Sequence, residues 1–166
     1  MPLDTLENML AHEMADLLSA ENQFAKVLQQ VAKAADSDTV RQMALAHLEE
    51  TKQHAENLKQ AFTALGQKPE KGVVCKAAAG IVEENSSTLK EEKPKGALKD
   101  LALIGGSLRV EHYEIAGYTA ALSIAKAVGS KAVVKLLQAN LKQELETAKK
   151  LQAATPQFLQ AAGGSA

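Results

Sequence analysis

Apolar residues recur along most of the chain at steps of three, four and seven. This is the repeat of a helix with one buried face. The first such stripe is Leu3, Leu6, Leu10, Leu17, Phe24, Leu28 and Val31, fading near Ala34, and Pro2 or Asp4 can open the helix. "AADSDTV" interrupts it and offers Asp36, Ser37 and Asp38 as N-cap residues for the next helix. The second stripe reads Val40, Ala44, His47, Glu50 or Thr51, His54, Leu58, Phe62 and Leu65, with Gly66 as the terminating residue. Two long helices on so short a link must be antiparallel neighbours.

A polar connection, "GQKPEKG", leads into "VVCKAAAGIVEENSSTL", where Val74, Ala77, Ala78, Ile81 and Val82 predict a shorter helix. After the charged linker "KEEKPKG" a third long stripe runs through Leu98, Leu101, Ile104, Leu108, Glu111, Ile115, Tyr118, Leu122 and Ala125 to Gly129. Ser130 can cap the last long helix, which carries Val134, Leu137, Leu141, Glu144, Ala148 and Leu151. "TPQFLQAAGGSA" reads as a tail whose final residues are expected to be disordered. Two long hairpins whose stripes must bury each other give an all-α four-helix bundle, with one short helix in the crossover. The bundle is expected over residues 1–154 and the tail over 155–166.

Composition agrees. Ala, Leu, Lys, Glu and Gln dominate, and the only aromatic residues are Phe24, Phe62, Phe158, Tyr113 and Tyr118. The net charge of −1 is spread over interleaved acids and bases, so no basic stripe points to nucleic acid. No apolar run approaches the roughly 18 residues of a membrane span. "MPLDTLENML" lacks the basic start and apolar block of a secretory signal. The single cysteine, Cys75, excludes an internal disulfide framework and fits a reducing compartment, so a cytoplasmic location is expected. Cys75 is either a thiol activated at a helix start or a buried structural residue.

Each long helix also carries glutamate on or beside its apolar stripe: Glu21, Glu50, Glu111 or Glu114, and Glu144. Hairpin geometry relates their heights. Glu21 lies 15 residues before Asp36 and Glu50 lies 14 after it; Glu114 lies 15 before Gly129 and Glu144 lies 15 after it. At about 1.5 Å per residue, each pair is level within its hairpin. Packed in register, the hairpins would gather four or five carboxylates in the interior, where like charges repel strongly. Protons, basic partners or a multivalent cation can relieve that repulsion. Carboxylates with imidazole in a bundle core are the ligand set of di-iron and di-manganese sites, which accounts for inward-facing His54 and His47. The alternative is a polar layer that fixes bundle register without metal. His47 stands either behind the metal ligands or as a packed core residue. Gly105, Gly106 and Gly117 cost helix propensity and predict close helix approach.

"LLSAENQF", "HLEETKQH", "CKAAAGIVEE" and "RVEHYEIAGY" closely resemble the bacterial YciE/YciF family of ferritin-like stress proteins, over about residues 5 to 152. The resemblance implies a ferritin-like bundle and a homodimer. It matches Glu21, Glu50 and Glu144 to single glutamates of the first, second and fourth helices, and Glu111 and Glu114 to a paired E-x-x-E on the third. Gln53 stands three residues after Glu50, with His54 one place further, and Thr147 stands three after Glu144. The implied site is therefore rich in oxygen ligands. Glu21 and Glu144 would be terminal, Glu50 and Glu114 bridging, His54 the nitrogen ligand and Glu111 a spare carboxylate. The expectation is a stress-related protein with a dinuclear Fe or Mn centre that reacts with peroxide or oxygen. The alternative is a non-catalytic interaction bundle with a metal-free acidic layer. The exposed side of "VVCKAAAGIV" is the expected subunit contact.

Overall fold

A computed structural model describes residues 3–164. The helices are α1 (Leu6–Ala34), α2 (Asp38–Ala64), α3 (Lys76–Ser87), α4 (Ala97–Val128) and α5 (Lys131–Ala161), with a π-helical turn at Thr88–Glu92 after α3. Thr5, rather than Asp4, caps α1 by accepting from the Asn8 N–H at 3.1 Å. Pro2 lies outside the described residues. Ser37 caps α2, accepting from Val40 N–H at 3.2 Å. Gly129 closes α4 at a φ of 82°, a left-handed conformation that other residues adopt at a cost.

α1 pairs with α2 and α4 with α5, and the two hairpins meet through α1 against α4 and α2 against α5. Their relative register is clamped at one end. The buried Asp100 carboxylate accepts from the Asp36 and Ser37 N–H groups, both at 3.0 Å. Asp36 in turn accepts from Gly96 N–H at 2.7 Å and from Lys99 Nζ at 2.7 Å. The turn of one hairpin is thus tied to the start of the other.

Apolar clusters fill both ends of the interior. One contains Leu10, Met14, Leu58, Phe62, Val133 and Leu137; the other contains Leu28, Val31, Val40, Ile104, Leu151 and Phe158. A third, with Phe24, Cys75, Ala78 and Val110, lies under α3. Because α4 packs on α1, α5 and α3, it is buried over a wider arc than one stripe, taking in Leu103, Gly106 and Val110. The close approach expected at the glycines is present at Gly106 and Gly117 but not at Gly105. A Cβ on Gly106 would lie 2.8 Å from Asn85 of α3, and one on Gly117 would lie 2.8 Å from Leu17 of α1.

Three expectations change. Leu3 and Leu6 are exposed, so the first buried stripe starts at Leu10. Leu98 and Val74 are likewise exposed. The last helix continues through Thr155 and Pro156 to Ala161, across the stretch expected to be a tail. A proline there removes one helical hydrogen bond, but continuation carries Phe158 into the apolar cluster with Leu28 and Val31. Of the final residues expected to be disordered, 165 and 166 lie outside the described residues.

Candidate metal centre

Between the two apolar ends lies a polar layer. Glu21 from α1, His47 and His54 from α2, Glu111 and Glu114 from α4, and Glu144 from α5 are all buried. They form two groups. His47, Glu111, Glu114 and Glu144 make the first, and Glu21, His54 and Glu144 the second; within each, one potential ligand atom per residue lies within 4.8 Å of the others. Glu144 belongs to both, between the two imidazoles.

The individual approaches are close. His54 Nδ1 is 2.8 Å from Glu144 Oε1 and 3.4 Å from Glu21 Oε1. His47 Nε2 is 3.2 Å from Glu111 Oε1 and 3.8 Å from Glu144 Oε2. Yet both oxygens of Glu111, Glu114 and Glu144, one of Glu21, and these two ring nitrogens have no well-aligned hydrogen bond. Such groups are costly to bury. Among the described residues, no lysine or arginine pairs with Glu21, Glu111, Glu114 or Glu144.

The other nitrogen of each imidazole is engaged on the layer's far side. His54 Nε2 faces Gln143 Oε1 at 2.9 Å, and His47 Nδ1 faces Glu50 Oε2 at 3.3 Å. Each partner is an acceptor, so a proton on the outer nitrogen satisfies it, and the inner nitrogen is turned toward the carboxylates. This is how imidazole ligands are oriented in metal sites. The donor set fits iron or manganese: hard oxygens with two nitrogens, in two adjacent groups sharing a carboxylate.

Glu50 departs most from its expected place. It is partly exposed, accepts from Thr147 Oγ1 at 3.2 Å and lies 3.9 Å from Lys150 Nζ. The cause is angular. At about 100° per residue, positions 47, 51, 54 and 58 fall within about 60° of one another, and position 50 lies about 60° outside position 47. Thr51 therefore fills the inward position beside the histidines. Height alone had paired Glu50 with Glu21, and height alone does not turn a side chain inward. The seven-residue spacing of His47 and His54 was the signal that both face the layer.

Burial and mutual repulsion set the protonation of the layer. Burial raises Glu111 to about 10, with Glu144 adding to the effect, and drives Glu114 well above the usual carboxylate range. Glu21 is raised by burial against the opposing effect of His54. Burial opposes charge on His54, but Glu144 and Glu21 outweigh it and lift that imidazole to about 10. The His47 contact holds Glu50 below its usual value.

Further polar residues support the layer. Tyr118 donates to Glu21 Oε1. Buried Asn140 donates to Tyr118 Oη at 2.9 Å and to the His54 carbonyl at 3.3 Å, and accepts from Asn57 at 2.7 Å. A cavity of about 20 Å³ borders His47, Glu111 and Thr147. Cys75 is buried and caps α3, with its sulfur 2.8 Å from Tyr113 Oη, and Tyr113 donates to Asp16 at 2.6 Å. Burial pushes the Cys75 thiol up, so it is the structural residue and not an activated thiol.

Comparison with known proteins agrees with this architecture. A family described as "Domain of unknown function (DUF892)" matches residues 5–162. Protein YciF of Escherichia coli (strain K12) is 34% identical over 151 residues, covering 91% of this chain and 90% of that protein. The chain belongs to the YciE/YciF family. The crystal structure of the E. coli stress protein YciF superposes at a TM-score of 0.90 with 31% identity, covering 95% of this chain and 99% of that one. YcfI from Rhodopseudomonas palustris gives 0.85 with 35% identity, covering 92% of this chain and 97% of that one. A dodecameric thioferritin, the bacterioferritin-related protein of Bacteroides fragilis, gives 0.68 with 16% identity and covers 95% of this chain and 88% of that one. That likeness extends the ferritin-like fold to this member of the YciE/YciF family.

Proposed function

We propose that the polar layer holds a dinuclear centre of iron or manganese and that the protein consumes a small oxidant, peroxide or oxygen, as a stress protein. The observation that carries this reading is the set of buried carboxylate oxygens and inward imidazole nitrogens without aligned partners. His47, Glu111, Glu114 and Glu144 would hold one ion, and Glu21, His54 and Glu144 the other. Glu50 and Gln143 would orient the imidazoles from outside. When bound, the metal pair would supply redox capacity and a Lewis acid. Tyr118 and Asn140 would fix the Glu21 carboxylate, and the apolar clusters at either end would exclude bulk water.

The test is elemental analysis of untagged protein. Wild type is expected to carry Fe or Mn, Glu144→Ala to lose both ions, and Glu50→Gln to bind more weakly, by about 10- to 100-fold. Protein that carries neither metal, with a melting temperature unmoved by Fe²⁺ or Mn²⁺, would sink the reading.

A second reading has its own support. Neutral Glu111 and Glu114 beside the close His54–Glu144 contact would make a self-compensated layer in a non-catalytic bundle. Under either reading we propose a cytoplasmic homodimer. Free Cys75 fits a reducing compartment, and no helix among the described residues is long and apolar enough to cross a membrane. Leu45 and Leu145, exposed on the neighbouring helices α2 and α5, support a subunit contact there, and exposed Val74 supports the one expected from the sequence.

A further inference from the structure

A second cavity, of about 240 Å³, opens between α1, α3, the π-helical turn and α4. Val27 and Val31 of α1, Val82 and Leu89 of the crossover, and Leu101 and Val110 of α4 give it apolar walls. Gly105 contributes no side chain, and a Cβ there would have as its nearest neighbour only Arg109 Nη1, at 4.0 Å. The two charged residues of the lining are at different depths: Arg109 is exposed and Glu111 is buried. Arg109 Nε lies 3.6 Å from Glu84 Oε1. Its fork lies over Gly105, at the edge of the apolar space.

We propose that this cavity binds a medium-chain monocarboxylate, with its chain among the apolar walls and its head on the Arg109 guanidinium. Benzene fills an apolar cavity of about 150 Å³, so about 240 Å³ accommodates about ten heavy atoms, the size of octanoate. The planar fork of arginine matches a carboxylate in two hydrogen bonds. Because Glu111 also belongs to the polar layer, the chain's far end would lie beside it. That the bound molecule is a substrate rests on the dinuclear reading; that it binds does not.

The test is calorimetric titration of the full chain with octanoate, 1-octanol and octylamine, with and without added Fe²⁺. Octanoate is expected to bind one molecule per chain. A charge-assisted pair at Arg109 should favour it over 1-octanol by about tenfold or more, and over octylamine by at least as much. Arg109→Gln should remove that preference while 1-octanol still binds. Gly105→Leu fills the cavity from a helix position where leucine has the better propensity. It should weaken octanoate by about tenfold or more with a melting temperature no lower than wild type. Equal binding of octanoate and 1-octanol to wild type, or undiminished binding to Gly105→Leu, would overturn the proposal. Octanoate binding to a protein that takes up no metal would sink the dinuclear reading alone. Metal uptake without octanoate binding would sink this inference alone.

Discussion

The interior around Leu58 and Phe62 and the interior around Glu111 and Glu144 are built on the same helices with the same inward repeat. Their energetics are opposite. Burying a leucine or phenylalanine contributes about 1.5–3 kcal/mol, whereas burying a polar group without a partner costs about 1–3 kcal/mol. The ends of the bundle hold the fold together, and the middle layer draws on the stability they supply. A layer that opposes folding and is nonetheless built from four helices is compatible with a metal site.

The sharpest way to break this contrast is a pair of substitutions in metal-free protein, read by urea unfolding. Phe62→Ala is expected to cost about 3–5 kcal/mol, the range for emptying a buried aromatic site. Glu114→Met, of similar volume, is expected to stabilise by about 1–3 kcal/mol, because it removes a buried polar group that has no partner. A Glu114→Met protein less stable than wild type would mean that the layer holds itself together.

Next in size is a pH dependence. Folded Glu111 titrates at about 10 and unfolded Glu111 at 4.5, so between those values the folded state holds a proton that the unfolded state releases. Metal-free stability should therefore fall as pH rises through that window, by about 1.4 kcal/mol per pH unit for one such group. His54 acts in the same direction: its contribution is complete below 6.5 and lost as pH rises through about 10. Unfolding at pH 5 and pH 8 should show the loss in wild type and a smaller one in Glu111→Gln. An unchanged slope in the variant would remove Glu111 as its source.

The smallest effect is expected at the clamp that aligns the two regions. Asp100→Ala leaves the Asp36 and Ser37 N–H groups without their acceptor and should cost about 1–3 kcal/mol in thermal or urea unfolding. The apolar ends should tolerate a slip in alignment better than the layer does. Metal uptake should therefore fall further in this variant than its stability loss alone accounts for.

The helices, their order, both hairpins and the carboxylate-bearing heights were legible in the chain, because each follows from local spacing. Glu21, Glu114 and Glu144 came inward as hairpin counting expects, and Glu111 joined them. Glu50 did not: it sits at the correct height on the wrong azimuth, and a few tens of degrees separate a layer residue from one that touches Thr147 and Lys150. His47 moved the other way, from an ambiguous position to the centre of one group. The end of α5 was misread for a third reason. Thr155 and Pro156 are local stop signals, but the burial that overrides them is supplied by residues more than 100 positions earlier, Leu28 and Val31 among them.

By itself, the sequence determined what depends on neighbours along the chain: helical periodicity, the antiparallel hairpins and the height of each acidic side chain. The tertiary structure decided which side chains at a given height turn inward, that Glu144 is shared between two groups, and that an apolar cavity ends against Glu111. Those outcomes depend on the rotation of each helix about its own axis and on how closely α3 settles on α4. Both are fixed by contacts between residues distant in sequence, such as Asp100 with Asp36 and Asn85 with Gly106.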